Sequence, residues 1–300
     1  MSEPTPRFWE IFFALFEGLP RQGPGNRACT ARALGSCRDL PQAAAVLDLG
    51  CGVGAQTLDL AELMPGVIVA ADTHAPSVER LRRTAAESGL SQRVRPVVAD
   101  MAHPPLRPAS LDLIWSEGAL YNIGIEPALR ICRPLLRSGG YLVFTDAVWR
   151  THEPPPEVTS SFEDYPTMGA VSDVIAAIER AGLSLVAHFT LPDEAWWDDF
   201  YTPMERRIEE LRATYVGDSE ALAILNEIAQ EPEMHRRHSN SYAYEFFVTR
   251  YEPRERASHR LTPTACSESL QERHDEVARR SVADVLDLVD SRLMPVRIAL

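Results

Sequence analysis

The sequence predicts an α/β protein with a doubly wound, mostly parallel sheet of seven strands. Short apolar runs alternate with segments of helical spacing between residues 46 and 145, and polar residues follow each run. The first run leads through a glycine-rich turn into a helix, which is the opening unit of many nucleotide-binding sheets. Two later runs extend the sheet to seven strands. We therefore expect a ligand site at the carboxyl edge of the sheet.

A helical cap over residues 1–41 is predicted ahead of the sheet. It comprises an amphipathic helix with an aromatic face over Phe8–Leu19 and a second helix over Arg27–Leu40. The loop between them, Gly18–Gly25, is rich in glycine and proline. It is either a structural turn or the edge of a lid, in which case Gln22 and Gly23 would contact the ligand.

The first five strands are short and apolar, and three segments between them have helical spacing. The strands are predicted at Val46–Leu49, Val67–Ala71, Val94–Ala99, Leu111–Trp115 and Tyr141–Thr145, and the helices at Gln56–Leu63, Ala75–Ser88 and Pro127–Leu136.

The last two strands are predicted at Leu183–Thr190 and Tyr242–Tyr251, after a proline-rich loop over Trp149–Pro166 and a helix over Val171–Ala181. A long charged helical region, Met204–Arg237, separates these strands. Residues 192–240 are therefore expected to form a helical cover inserted before the last strand. Residues 1–251 would form one domain and residues 252–300 an extension with one helix candidate at Glu268–Val289.

The charge balance limits the possible partners. The formal net charge is −13, and all 30 basic residues are arginine. This disfavours binding to nucleic acid or to an anionic membrane, and the absence of lysine excludes Schiff-base chemistry and a G-K-[ST] phosphate loop. The five cysteines form no C-x-x-C pair and the histidines show no metal-ligand spacing. We expect a cytoplasmic protein without a bound metal, and a homodimer remains open.

The glycine loop Gly50–Gly54, G-C-G-V-G, lets the backbone approach a ligand closely. With Ala55 it also satisfies G-x-G-x-x-A, so a nicotinamide or flavin dinucleotide is an open alternative. Asp48, at the strand end before the loop, favours a cationic ligand over a pyrophosphate. Asp100 could bind an adenine amine while Met101 packs against the ring.

Asp72 follows the second strand, 22 residues after Gly50. A carboxylate at this position typically accepts both ribose hydroxyls of a bound nucleoside. Alternatively, Asp72 or Thr73 caps the helix that begins at Ala75.

The chain resembles the class I S-adenosylmethionine (SAM)-dependent methyltransferases, which have a Rossmann-like sheet. The matching elements are Val46–Gly54, Asp72, Val98–Met101, Leu111–Gly118 and Gly139–Phe144. It is similar to small-molecule enzymes of the ubiquinone/menaquinone-biosynthesis type, and especially to a bacterial subgroup with R-Q-G-P-G and W-S-E-G-A-x-Y-N-I-G motifs. Here these are Arg21–Gly25 and Trp115–Gly124.

The resemblance implies that SAM is the cofactor. The glycine loop would border its methionine part, Asp72 would hold the ribose, and Asp100 with Met101 would frame the adenine. The full set of cofactor residues that we expect is Gln22, Gly23, Asp48, Gly50, Cys51, Gly52, Gly54, Gln56, Thr57, Asp72, Thr73, Asp100, Met101 and Ser116.

Glu117, Tyr121 and Asn122 follow the fourth strand directly and are the candidate catalytic residues. We expect Glu117 to orient the acceptor or act as a base and Tyr121 to shape the methyl channel. The alternative is that Glu117 caps a helix and Tyr121 is a core residue.

Aromatic residues are the candidates for contact with a small-molecule acceptor. Besides Tyr121 they are Trp149, Trp196, Trp197 and Tyr201. The last three lie close together in sequence and form either an aromatic box for the acceptor or the place where the helical cover docks on the core. The sequence does not identify the atom that is methylated, and a macromolecular acceptor is a further alternative.

Overall fold

A seven-stranded sheet runs through residues 5–253, the part of the chain that the computed structural model describes. The strand order is β3-β2-β1-β4-β5-β7-β6. The strands are β1 Ala44–Leu49, β2 Gly66–Asp72, β3 Val94–Val98, β4 Leu111–Ser116, β5 Leu136–Trp149, β6 Ser184–Thr190 and β7 Tyr242–Arg250. Strands β1 to β5 pair in parallel, whereas β7 is antiparallel to both β5 and β6. The carboxyl ends of β1, β2, β3 and β4 therefore meet at one edge, which confirms the predicted Rossmann-like fold class.

Eleven helices are assigned within residues 5–253. They are α1 Pro6–Phe16, α2 Arg27–Leu34, α3 Ala55–Leu63, α4 Ala75–Glu87, α5 Ile125–Cys132, α6 Pro156–Ser161, α7 Val171–Arg180, α8 Glu194–Trp196, α9 Thr202–Thr214, α10 Ser219–Ile228 and α11 Gln230–His238. The same residues also contain two 3₁₀ segments, Leu120–Ile123 and Arg133–Leu135, and one π-helical turn, Trp197–Tyr201.

The sheet is covered on both faces. Helices α2, α3 and α4 pack on one face, where Leu60 and Leu81 are fully buried. Helices α5 and α7 pack on the other, where Leu129 and Ile178 are buried. Because both faces are covered, the strands are apolar on both sides, and every residue of β1 is buried.

A third core joins the first helix to the helices between β6 and β7. Ile11 and Leu15 of α1 pack in one cluster with Met204 of α9 and Leu225 of α10. Helices α8 to α11, which we call the helical cover, therefore lie over the sheet together with α1, and they interrupt the chain between β6 and β7 as predicted.

Strand β5 is longer than predicted, and the helix before it is shorter. Helix α5 ends at Cys132 because Pro134 has no N–H to donate, and the chain continues in a 3₁₀ segment. Strand β5 begins at Leu136, and its pairing with β7 extends to Trp149↔Tyr242. The predicted end of the strand at Thr145 was wrong because this antiparallel pairing is a long-range contact.

Two other predicted segments differ in the structure. The loop over residues 149–166 contains α6, which begins at Pro156 because proline is well tolerated in the first turn of a helix. The single charged helical region is three helices, with a break at Gly217, where φ is +88°, and a new N-cap at Asp218. The second helix of the cap ends at Leu34 rather than at Leu40, next to Gly35.

The predicted extension over residues 254–300, with its helix candidate at Glu268–Val289, lies outside the described residues. Among residues 5–253, no helix combines the length and the apolar character needed to cross a bilayer.

Candidate functional site

A cavity of about 380 Å³ opens at the carboxyl edge of the parallel strands. The glycine loop after β1, the ends of β2, β3 and β4, and the loop after α1 surround it. Most of the predicted cofactor residues line this cavity, namely Gln22, Gly23, Gly50, Cys51, Gly52, Gln56, Asp72, Thr73, Asp100 and Met101.

The glycine loop needs its glycines for two separate reasons. Gly50 and Gly52 have φ values of +71° and +52°, a backbone region that other residues rarely adopt. A Cβ on Gly50 would also lie 2.3 Å from the Cβ of Ala119, the residue that follows Gly118 after β4. The loop backbone can therefore approach both Ala119 and a ligand in the cavity.

Asp72 ties the end of β2 to the glycine loop. Its Oδ2 accepts a hydrogen bond from the N–H of Gly52 and its Oδ1 accepts one from the N–H of His74, both at 2.8 Å. A carboxylate has about four acceptor positions, so two remain for hydroxyl donors in the cavity.

Asp100 and Met101 form the wall of the cavity after β3. Asp100 accepts a hydrogen bond from the N–H of Ala102 at 2.8 Å, which lowers the pKa of its carboxyl and keeps it charged. The Cε of Met101 lies 3.3 Å from the position that a Cβ of Gly50 would occupy. An apolar methionine and a carboxylate are thus placed side by side at the cavity.

Glu117 lines the cavity but its carboxylate already has three partners. It accepts hydrogen bonds from Arg21 at 2.9 Å, from the Oγ1 of Thr30 at 3.0 Å and from the indole of Trp115 at 2.8 Å. Its side chain is 2% exposed and that of Arg21 is 5% exposed. With both oxygens engaged, Glu117 joins the loop after α1 to the end of β4. A role as a base or as an acceptor-orienting group stays a prediction.

The loop after α1 lies directly on the glycine loop. The side chain of Gln22 accepts a hydrogen bond from the N–H of Val53 at 3.1 Å and donates one to the carbonyl of Phe16 at 3.2 Å. Its Oε1 would be 2.3 Å from a Cβ on Gly52. This contact corresponds to the lid-edge interpretation of residues 18–25.

Four predicted cofactor residues lie behind the cavity wall rather than on it. Asp48 is fully buried and accepts hydrogen bonds from Thr57 at 2.5 Å and from Gln56 at 3.4 Å. Burial raises the pKa of Asp48 to about 7. Ser116 is also buried, and its hydroxyl donates a hydrogen bond to the carbonyl of Leu49. Gly54 packs against Leu81, so that a Cβ at this position would clash with the Leu81 side chain. Asp48, Gly54, Thr57 and Ser116 are not among the residues that line the cavity, so direct ligand contact stays a prediction for them.

The two candidate residues Tyr121 and Asn122, after β4, have different positions relative to the cavity. Asn122 lines the cavity. Tyr121 is not among the lining residues, is 41% exposed, and lies with its ring 5.7 Å from that of Tyr165. Tyr121 is therefore not the core residue of the alternative interpretation.

The aromatic residues proposed to bind an acceptor are mostly packed against other groups. Trp196 is 4% exposed and stacks on His235 at 4.1 Å, and Tyr201 is 1% exposed. Arg236 covers the ring of Trp197 at 4.6 Å, and the indole of Trp149 donates to the carbonyl of Met168. Trp196 and Tyr201 lie in the interior of the helical cover, which agrees with the docking alternative. Contact of Trp149 and Trp197 with an acceptor stays a prediction.

Sequence reasoning did not assign a role to Arg21. One of its nitrogens, Nη1, binds Glu117, whereas Nη2 is buried and makes no hydrogen bond among the described residues. Nη2 is 3.8 Å from Asp59, too far for a hydrogen bond. Arg21 stands in the quoted R-Q-G-P-G motif, but its partner is 96 residues away, so the sequence carried no local signal of the pair.

Within the described residues, no group of three or more histidine, cysteine or acidic side chains is arranged to hold a metal ion.

Part of the chain is similar to known methyltransferases. Residues 46–140, about a third of the chain, match the family model described as a methyltransferase domain. The chain is 35% identical over 108 residues to a dimethylglycine N-methyltransferase from Parasynechococcus marenigrum (strain WH8102), which covers 36% of this chain and 39% of that protein. It is 30% identical over 148 residues to the methyltransferase GfsG from Streptomyces halstedii, covering 47% and 53%. The aligned region thus spans about half or less of these relatives.

A solved structure shares the fold over most of the described chain. The SAM-dependent methyltransferase from Thiobacillus denitrificans, solved in complex with S-adenosyl-L-homocysteine (SAH), superimposes with a TM-score of 0.70 at 18% identity. The superposition covers 80% of this chain and 97% of that one. Residues 46–140 therefore match a methyltransferase family model, and the chain shares its fold with this solved structure.

Proposed function

We propose that this chain is a methyltransferase that binds SAM in the cavity at the carboxyl edge and transfers its methyl group to a small-molecule acceptor. The observation that carries the proposal is the charge of the cavity wall. Asp72, Asp100 and Glu117 line it, and Arg21 is the one cation among its described lining residues. Since Arg21 is paired with Glu117, the wall favours a cationic nucleoside and disfavours the pyrophosphate of a dinucleotide.

The lining residues fit the three parts of SAM. The free acceptor positions of Asp72 suit the ribose hydroxyls, and Asp100 with Met101 suits an adenine amine and its ring. Gly50 and Gly52 line the cavity without side chains, so the loop backbone can border the methionine part. These assignments agree with what the resemblance to the bacterial subgroup with the R-Q-G-P-G and W-S-E-G motifs implies.

Arg21 completes the site for the methionine part. Arg21 lines the cavity, and its Nη2 is buried without a hydrogen-bond partner among residues 5–253. A buried guanidinium nitrogen without a partner is costly, and a carboxylate is its preferred acceptor. We assign Arg21 Nη2 to the carboxylate of the methionine part.

The bound cofactor would supply a methyl group on a positively charged sulfur, which is already a good leaving group. The protein then has to hold the acceptor in line with that methyl group, and such positioning lowers a barrier by roughly 7–11 kcal/mol in favourable cases. Asn122 lines the cavity and is therefore our candidate for positioning the acceptor. Glu117 acts as a positioning residue, through Arg21 and Trp115.

The test uses the full chain, SAM labelled in its methyl group and a metabolite extract. We expect label in a small metabolite and an equal amount of SAH, both detected by mass spectrometry. Label found in protein or nucleic acid instead would favour the macromolecular alternative. Failure to bind SAH or to consume SAM would overturn the proposal.

A further inference from the structure

Tyr244 of β7 lies beside the wall of the cofactor cavity at Gly118. Gly118 lines the cavity, and a Cβ on it would lie 3.6 Å from the ring of Tyr244 and 4.0 Å from its hydroxyl. These are ordinary van der Waals distances. Because a glycine contributes only backbone to the wall, no side chain at position 118 covers the tyrosine on this side.

The sheet and the helical cover together fix the position of the Tyr244 ring. Tyr244 pairs with Ala147 of β5, and its carbonyl accepts a hydrogen bond from the N–H of Leu191 at 2.9 Å. Trp196 of α8, which is buried, meets the ring edge-on at 5.2 Å. A side chain held by a strand and by a buried neighbour loses little freedom when a ligand binds, so it is well suited to orient one.

The hydroxyl of Tyr244 differs from those of the tyrosines around it. Three other tyrosines of the same cluster have side-chain partners within hydrogen-bond distance, in the pairs Tyr165–Asp146, Tyr201–Glu231 and Tyr242–His235. The hydroxyl of Tyr244 has no hydrogen-bond partner among residues 5–253, and its oxygen is accessible. Since a tyrosine hydroxyl in a largely buried position usually has a partner, this one is available to a ligand.

In the proposed complex with SAM, Gly118 belongs to the part of the wall that is nearest to the methyl group. Arg21, which we assign to the methionine part, binds Glu117 at 2.9 Å. Gly50, which borders the same part, would contact Ala119 if it carried a Cβ. Gly118 stands between Glu117 and Ala119 in the chain, so both contacts place it at the methionine end of the cavity. The sulfur and its methyl group belong to that end.

We propose that Tyr244 binds the methyl acceptor, and that its hydroxyl forms a hydrogen bond with a polar group of that molecule and holds it in line with the methyl group. This inference rests on the proposed function. A tyrosine hydroxyl keeps its proton at neutral pH and can both donate and accept a hydrogen bond. Tyr244 therefore orients the methyl acceptor and transfers no proton, and its contribution is to the attack geometry.

The test compares the full-length wild type with Tyr244→Phe, which removes the hydroxyl and keeps the ring that packs on Trp196. Methyl-labelled SAM is present at saturation, and a dilution series of the metabolite extract supplies the methyl acceptor. The initial slope of label transfer against extract concentration is then proportional to kcat/KM for that acceptor. We expect the slope to fall about tenfold, as the loss of one hydrogen bond to a bound molecule implies. The affinity for SAH, measured by calorimetry, and the melting temperature should stay unchanged.

The matched control is Tyr251→Phe, directly after the far end of β7, where Arg133 covers the tyrosine ring at 4.9 Å. It should leave the slope unchanged. A wild-type slope in Tyr244→Phe would overturn the role of Tyr244 while SAM binding stands, and so would a loss that comes with an equal loss of SAH affinity or a lower melting temperature. A wild-type chain that binds no SAH or transfers no label would overturn both proposals.

Discussion

At the residue scale, the buried ion pair between Arg21 and Glu117 joins the helical cap to the sheet. Breaking such a pair by removing one partner leaves a buried charge without its counter-ion, which costs roughly 3–5 kcal/mol. We expect Arg21→Met to lower the free energy of unfolding in urea by about that amount. The double variant Arg21→Met/Glu117→Gln should recover part of the loss. If Arg21→Met and the double variant had the same free energy of unfolding, the unpaired charge of Glu117 would not be the cause of the loss.

Asp48 gives the protein a pH dependence of known sign. Burial raises its pKa from 3.8 to about 7, so the folded state binds a proton that the unfolded state has released. The contribution of Asp48 to the free energy of unfolding is therefore fully present at low pH. It falls by an amount on the order of 4 kcal/mol as the pH rises towards 7. Asp146 shifts in the same direction, also to about 7.

The check is urea unfolding at pH 5 and pH 8. We expect the wild type to lose more stability between these values than Asp48→Asn does, and the double variant Asp48→Asn/Asp146→Asn to lose least. A variant Asp48→Asn with the same pH dependence as the wild type would mean that Asp48 does not titrate in this range.

The position of some candidate residues could be predicted because the signal is local. Asp72 ends β2 and Asp100 lies two residues after β3, and both line the cavity at the carboxyl edge. The role of Glu117 could not be predicted, because it depends on Arg21 and Thr30, which the fold brings together from distant positions.

At the scale of elements, the glycine loop is the least tolerant segment of the site. Gly50→Ala would place a Cβ 2.3 Å from that of Ala119 and put alanine at a φ of +71°. The backbone strain alone costs about 1–2 kcal/mol, so we expect a lower melting temperature and loss of SAH binding. The matched control is Gly23→Ala, where a Cβ would meet nothing within 4 Å and stability should not change. Equal stability of both variants would contradict this role of Gly50.

Trp196 distinguishes a structural role of the helical cover from a role in acceptor binding. Its ring is buried and stacked on His235, so we expect Trp196→Ala to lower the free energy of unfolding by roughly 3–5 kcal/mol. Trp9→Ala, at a position that is 43% exposed, should cost much less. A Trp196→Ala variant with wild-type stability but a raised KM for its acceptor would instead restore the aromatic-box interpretation.

Elements with their own periodic pattern were predicted closely, and those set by distant partners were not. Strand β1 and helix α4 begin or end within about two residues of the prediction because their patterns are local. The end of β5 at Trp149 depends on pairing with β7, about a hundred residues later in the chain. The sequence near residue 149 contains no local signal of this pairing.

At the scale of the whole molecule, the order of elements determines where the cavity lies. Strands β1, β2, β3 and β4 are parallel, so the loops that follow them must meet at one edge, and the sequence was sufficient to predict this. The packing of α1 against the helical cover could not be predicted, because amphipathic helices carry no information about which partner they meet.

The central claim is that a SAM-type nucleoside occupies the cavity at the carboxyl edge, with Asp72 as its ribose partner. Titration calorimetry with SAH and with NADH tests it directly, using the full chain, Asp72→Asn, and the control Asp173→Asn, whose carboxylate also accepts a backbone N–H but lies on α7. We expect SAH to bind, Asp72→Asn to weaken that binding by about 10- to 100-fold, Asp173→Asn to leave it unchanged, and NADH not to bind. Tight NADH binding without SAH binding, or SAH binding that is indifferent to Asp72→Asn, would contradict the claim.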